Sequence, residues 1–223
     1  MQKTIERGLF MEVLMQYLGF LFRWSHVLFG ITWIGMLYYF NFVQGGYFKQ
    51  ASPEGLADAK AKLAPSALWW FRWGAMGTFL TGVIMLLTVP SAVSNYIWIG
   101  AIFGTLMFLN VWLVIWPNQQ IALGMKTGDG AAAGAKALLA SRHNVLFSAP
   151  MTFCMLASGH GGMMGGYGIV NWSAPSMLAM LAIIALLEIN ALKGKQGPLT
   201  TVNGVIVSSL ALTVVMVAVL TLL

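Results

Sequence analysis

The residues best suited to chemistry in this sequence are three histidines, at 26, 143 and 160. Each lies in or beside an apolar run long enough to cross a bilayer, where an ionisable side chain marks a function or a buried partner. His26 belongs to the stretch Arg23 to Phe42, RWSHVLFGITWIGMLYYFNF, with Gly30 one turn later and Trp33 two turns later on the same helical face. A glycine beside a histidine removes bulk where a flat ring can lie against the helix. That face reads as a haem-ligating surface or as a histidine hydrogen-bonded inside a bundle. His160 sits in SGHGGMMGGYG, residues 158–168. Glycine lets backbone approach a ligand, and His and Met are borderline-to-soft metal ligands. The stretch therefore reads as an axial haem ligand under a lid, as a copper-handling site of His160, Met163 and Met164, or as a loose turn. His143 precedes His160 on the same predicted span by about 25 Å at 1.5 Å per residue. Those two cannot share a metal atom; the topology read from the lysines below puts His26 and His160 both on the outer side, which makes them the sensible pair for one outer site.

A second polar group comprises Arg72, Arg142, His143 and Glu188. It reads as a structural cluster of ion pairs and snorkelling side chains, with Glu188 neutralising one arginine. The alternative is a site for an anion such as a haem propionate or an acidic substrate. The aromatics Trp69, Trp70, Phe71 and Trp73 around Arg72 fit an interfacial belt, with cofactor stacking as the alternative. The 15 methionines fit apolar space-filling. No phosphate-binding glycine loop, nucleophile elbow, carboxylate pair or zinc motif is present.

These side chains must be positioned by membrane helices. Of 223 residues 59% are hydrophobic and 8% charged, against roughly 25% charged in soluble domains. The expectation is an all-α, polytopic membrane bundle of about six spans, forming a single transmembrane domain over 1–223. The spans are predicted near 16–43, 66–88, 94–116, 135–158, 173–192 and 202–223, each close to the ~20 residues a bilayer requires. A polar surface helix is expected within 44–65, the third span is expected to stop before Pro117, and Pro150 is expected to kink the fourth. The lone Cys154 excludes an internal disulfide, and the absence of C-x-x-C-H excludes a covalent c-type haem. No cleavable signal peptide is evident at the N-terminus. The net charge of +6 reflects basic loops and not nucleic-acid binding. Lys49, Lys60, Lys62, Lys126, Lys193 and Lys195 follow spans one, three and five, which puts those loops in the cytoplasm and both termini outside.

Four segments carry a family resemblance: RWSHVLFGITWIGMLYYFNF at 23–42, WWFRWGAMGTFLTG at 69–82, NVWLVIWPNQ at 110–119 and SRHNVLFSAPMTFCMLASGH at 141–160. In this order, and covering most of residues 18–160, they resemble the N-terminal membrane domain of the integral-membrane, cytochrome-c-linked urate oxidases. The first segment is also similar to the opening helix of small haem-b membrane proteins, such as the membrane protoporphyrinogen oxidases, and of copper-resistance membrane proteins. The resemblance implies a bacterial inner-membrane protein binding one or two haem b groups and passing electrons to an external cytochrome c. It implies His26 and His160 as the preferred iron ligands and His143 as a possible second site. Arg23, Arg72, Arg142 and Asn144 match polar positions of the motifs, with Gly30 and Trp33 beside His26. Two features depart from the family pattern: FRW continues with Gly74 and Ala75 in place of an acidic residue, and the connection between the first two motifs is short. The sequence also shows no cytochrome c segment, so a separate acceptor or other membrane redox subunits are expected. The function expected is electron transfer, with two alternatives: a copper or small-solute transporter, and a cofactor-free structural subunit of a respiratory complex.

Overall fold

In the computed structural model, which describes residues 2–88, 94–159, 171–193 and 196–223, the chain is helical throughout apart from short connections and has no strand among those residues. Helix α1 (Gln2–Tyr38) passes through a π-helical turn (Tyr39–Gln44) into α2 (Gly45–Gln50). A short α3 (Pro53–Asp58) and a second π turn (Ala59–Leu63) lead into α4 (Ala64–Thr88). Then come α5 (Asn95–Leu109), a third π turn (Asn110–Ile115), α6 (Trp116–Ala122), α7 (Gly130–Gly159), α8 (Pro175–Lys193), a 3-10 turn (Gly197–Thr200) and α9 (Val202–Leu222). Five stretches are long and apolar enough to cross a membrane: Glu6–Gln50, Pro53–Thr88, Asn95–Ala122, Pro175–Leu192 and Val202–Leu222. The sixth expected span is α7. Its polar residues lower its hydropathy because it lies at the centre of the bundle, packed against α5, α6 and α9 and touching α1 and α8.

Helix starts are set by side-chain caps, which satisfy backbone N–H groups that the first turn leaves unpaired. Ser52, Ser94 and Thr201 accept from Gly55, Ile97 and Gly204, and Asp129 Oδ1 accepts from the backbone of Ala131 and Ala132. Gly124, at φ +73°, closes α6 in a left-handed conformation that other residues rarely adopt.

The third span does not stop at Pro117. The π turn before it re-registers the backbone, so that Trp116 N–H bonds Val111 O, and Asn118 Nδ2 donates to Val114 O at 2.7 Å. The helix runs on past the proline because its missing N–H falls where the π turn gives way to α6. At Pro150 the missing N–H strands the carbonyl of Leu146. Ser209 of α9 supplies the replacement, its Oγ lying 2.9 Å from Leu146 O and 2.9 Å from Val145 O.

Helices α1 and α4 lie in close contact. A Cβ on Gly74 would lie 3.0 Å from the Trp33 backbone N, and one on Gly77 would enter the Phe29 ring. Small residues at such crossings let membrane helices approach. Gly204, in the first turn of α9, is tighter still. A Cβ there would collide with the Pro198 carbonyl oxygen and lie 2.6 Å from the capping Thr201 Oγ1. Backbone and cap atoms cannot swing aside. Gly204→Ala is therefore expected to cost about 1–3 kcal/mol. Gly104→Ala, whose Cβ would meet only Met151 Cγ at 4.0 Å, should be neutral or mildly stabilising. Thermal unfolding in detergent compares them, and equal midpoints would contradict the steric argument.

Candidate redox site and central polar layer

His26 points from α1 toward α4, where its Nδ1 lies 3.1 Å from Thr81 Oγ1. The Thr81 hydroxyl lies 2.6 Å from Gly77 O and 3.1 Å from Thr78 O, so with its proton given to the backbone its oxygen accepts from the imidazole. Nδ1 therefore carries the proton, and the Nε2 lone pair is left available. Histidine ligands of metals are usually held in this way, by a hydrogen bond from the other ring nitrogen. Gly82 makes the ring position possible: a Cβ there would lie 3.1 Å from His26 Cε1. One turn along α1, a Cβ on Gly30 would meet nothing within 4 Å, so the surface beside the histidine is open. Trp33 is buried and packs on Gly74, and Arg23 is exposed.

Two contacts fix the level of His26 relative to α7. Tyr38 donates to Ser148 Oγ at 2.8 Å, since the Ser148 proton is committed to Val145 O. Asn41 Nδ2 donates to Ser141 Oγ at 2.7 Å. These pairs show that α1 and α7 run antiparallel. Twelve residues back from Tyr38, about 18 Å, His26 lies level with the C-terminal end of α7. His160, Met163 and Met164 fall just beyond that end and lie outside the described residues.

A distinct polar layer sits deeper, on one turn of α7. Four consecutive residues reach five different elements. Ser141 accepts from Asn41, and Arg142 Nη1 donates to Leu199 O at 2.7 Å in the turn before α9. His143 Nε2 donates to Glu188 Oε1 of α8 at 3.1 Å, and Asn144 accepts from Asn110 at 3.0 Å while donating to Met107 O at 2.9 Å. Both Asn41 and Asn110 stand in π turns, where the widened helix re-aims a side chain. His143 is 2% exposed, with its ring centroid 4.3 Å from that of Phe147 and its Nδ1 buried without a partner. The expected Arg–Glu188 pairing is not formed. The Glu188 carboxylate is committed to His143, and the only other ion pair among the described residues joins Lys62 to Asp58.

Residues 89–220, more than half of the sequence, match the family described as urate oxidase N-terminal. The chain belongs to that family. No curated protein and no solved structure matches it. The match takes in α5 to α9, including the segments 110–119 and 141–160 that carry Asn110, Arg142, His143 and His160. His26, Gly30, Trp33 and Arg72 lie on helices before it. Within the urate oxidase N-terminal match, SRHN is thus the turn that ties together the centre of the bundle.

Arg72 lies apart from both groups. Its Cζ sits 3.4 Å above the Trp116 ring, and ten residues of α4, about 15 Å, separate it from the level of Gly82 and His26. Trp69, Trp70 and Trp73 are each about half exposed, as a membrane-interface belt requires. Cys154 is buried, with Sγ 3.3 Å from Met216 Sδ. Several contributors were missed from sequence: Thr81, Tyr38, Asn41, Asn110 and Ser209. Thr81 was the most legible of them, since it stands among glycines in the segment 69–82 that matches the histidine helix.

Proposed function

We propose that this urate oxidase N-terminal family member is a membrane-embedded redox subunit, in which His26 and His160 would hold haem b. It passes electrons to an external cytochrome c or to other membrane redox subunits. The observation that carries this is the Thr81 hydroxyl fixing the His26 proton on Nδ1, which leaves Nε2 as a ligand beside the open surface at Gly30. Held between two histidines, haem b would supply one-electron transfer there. The residues around it supply orientation: Thr81 holds the imidazole, and Gly82 admits it against α4. The level of His26 agrees with pairing to a residue just past the end of α7.

Lys49, Lys60, Lys62 and Lys126 are exposed, in the connections leading into α4 and α7, at the end of the bundle away from His26. By the positive-inside rule this supports a bacterial inner membrane orientation with His26 toward the periplasm and both termini on that side. His143 and Arg142, engaged with Glu188 and Leu199, belong in this account to the central node and not to a second haem. The node favours one competing account, a cofactor-free structural subunit.

A reduced-minus-oxidised visible spectrum of the detergent-purified protein separates the two. Sharp reduced haem-b bands are expected, abolished in His26→Ala and in His160→Ala and retained but altered in Thr81→Val. Bands that survive in His26→Ala would remove His26 from the site. A colourless protein from haem-replete cells would leave the structural account standing.

A further inference from the structure

Two buried donors near the interface belt lack acceptors. Arg72 Nη1 on α4 and Trp112 Nε1 on the third π turn are each inaccessible and have no hydrogen-bond partner. Trp112 and Trp116 are one turn apart, so both face α4. The Trp112 ring lies 5.9 Å from Trp73, and the Arg72 guanidinium lies flat over Trp116. Such groups are almost always satisfied in folded proteins, and leaving each one bare costs about 1–3 kcal/mol. Inside a bilayer there is no bulk water to compensate.

The chemistry of the pair names the missing partner. Indole and guanidinium nitrogens are donors only. The guanidinium also carries a full charge, and among the described residues no carboxylate pairs with it. Its face is occupied by Trp116, so a ligand must meet its edge, where parallel N–H groups fit a two-oxygen anion. We propose that Arg72, Trp112 and Trp116 form an oxyanion-binding site between α4 and the α5–α6 helix, separate from the His26 site. Arg72 stands on α4 among the half-exposed Trp69, Trp70 and Trp73. Arg72 as a whole is half-buried, so a lipid headgroup phosphate and a soluble carboxylate or phosphate are the two candidate sources of the anion.

The test uses the full chain in detergent, titrated with benzoate or inorganic phosphate, and in nanodiscs of phosphatidylglycerol against phosphatidylcholine. Saturable quenching of tryptophan fluorescence is expected, with a saturable rise in Tm. A response to benzoate or phosphate assigns a soluble anion; a response only to phosphatidylglycerol assigns the headgroup. Either response should vanish in Arg72→Gln, weaken at least tenfold in Trp112→Phe, and persist in His26→Ala. If Arg72→Gln fails to fold, Arg72→Lys, which keeps charge but loses the fork, should weaken binding at least tenfold. Absence of a saturable response to every probe would overturn the proposal, as would wild-type affinity in the Arg72 and Trp112 variants.

Discussion

His143→Leu should destabilise the bundle by about 2–3 kcal/mol, and His143→Leu with Glu188→Leu should recover much of that loss. His143 is 2% exposed and Glu188 about a quarter exposed, with Nε2 and Oε1 3.1 Å apart between α7 and α8. Breaking a fully buried pair by removing one partner costs ~3–5 kcal/mol, because the remaining charge stays in a poor solvent. The partial exposure of Glu188 lowers the figure. The imidazole also packs on Phe147, which leucine can partly replace. In the double variant no charge is stranded, and apolar replacements of such pairs are often tolerated. A double-mutant cycle on detergent unfolding measures the coupling. Additive losses would mean that the two side chains do not support one another.

Asn144→Leu should cost a similar amount for a different reason, and more than Asn110→Ala. Asn144 is fully buried and joins two neighbours at once, accepting from Asn110 Nδ2 and donating to Met107 O. Leucine strands the Asn110 amide and takes away the second donor to Met107 O, which keeps only the shared Asn110 backbone N–H. Interhelical side-chain hydrogen bonds in membranes average ~0.6 kcal/mol and reach ~1.7, and a stranded buried polar atom adds ~1–3. The sum is about 2–3 kcal/mol. Asn110→Ala loses one bond and leaves the Met107 carbonyl paired. Asn144→Asp keeps the acceptor but sets a carboxylate oxygen against that carbonyl, so it should be no better than leucine. A midpoint for Asn110→Ala at or below that of Asn144→Leu would show that Asn144 does not hold both contacts.

The long helices were legible because apolar runs of spanning length leave few alternatives. Helices α4, α8 and α9 begin and end within about two residues of the expected spans. The failure at Pro117 has a local cause. Proline predicts a stop, and nothing in NVWLVIWPNQ announces the π turn that precedes it. That His26 could hydrogen-bond inside the bundle was legible, but its partner was not. That partner is Thr81, 55 residues away, with its own proton given to the backbone. In SRHN the polar cluster was visible but its pairing was misjudged. Charge alone favours arginine with Glu188, whereas successive side chains on a helix point in different directions, and the one facing α8 is His143.

The central position of α7 bears on how the chain enters a bilayer. Its 30 residues include Lys136, Arg142, His143 and Asn144. A helix carrying arginine, histidine and asparagine in its middle partitions poorly when it is alone. The acceptors and donors it needs on α1 and α5 are made earlier in synthesis, while Glu188, Leu199 and Ser209 come later. Insertion of α7 is therefore assisted by helices already in place and completed by those still to emerge. The segment least able to insert by itself becomes the axle of the finished bundle.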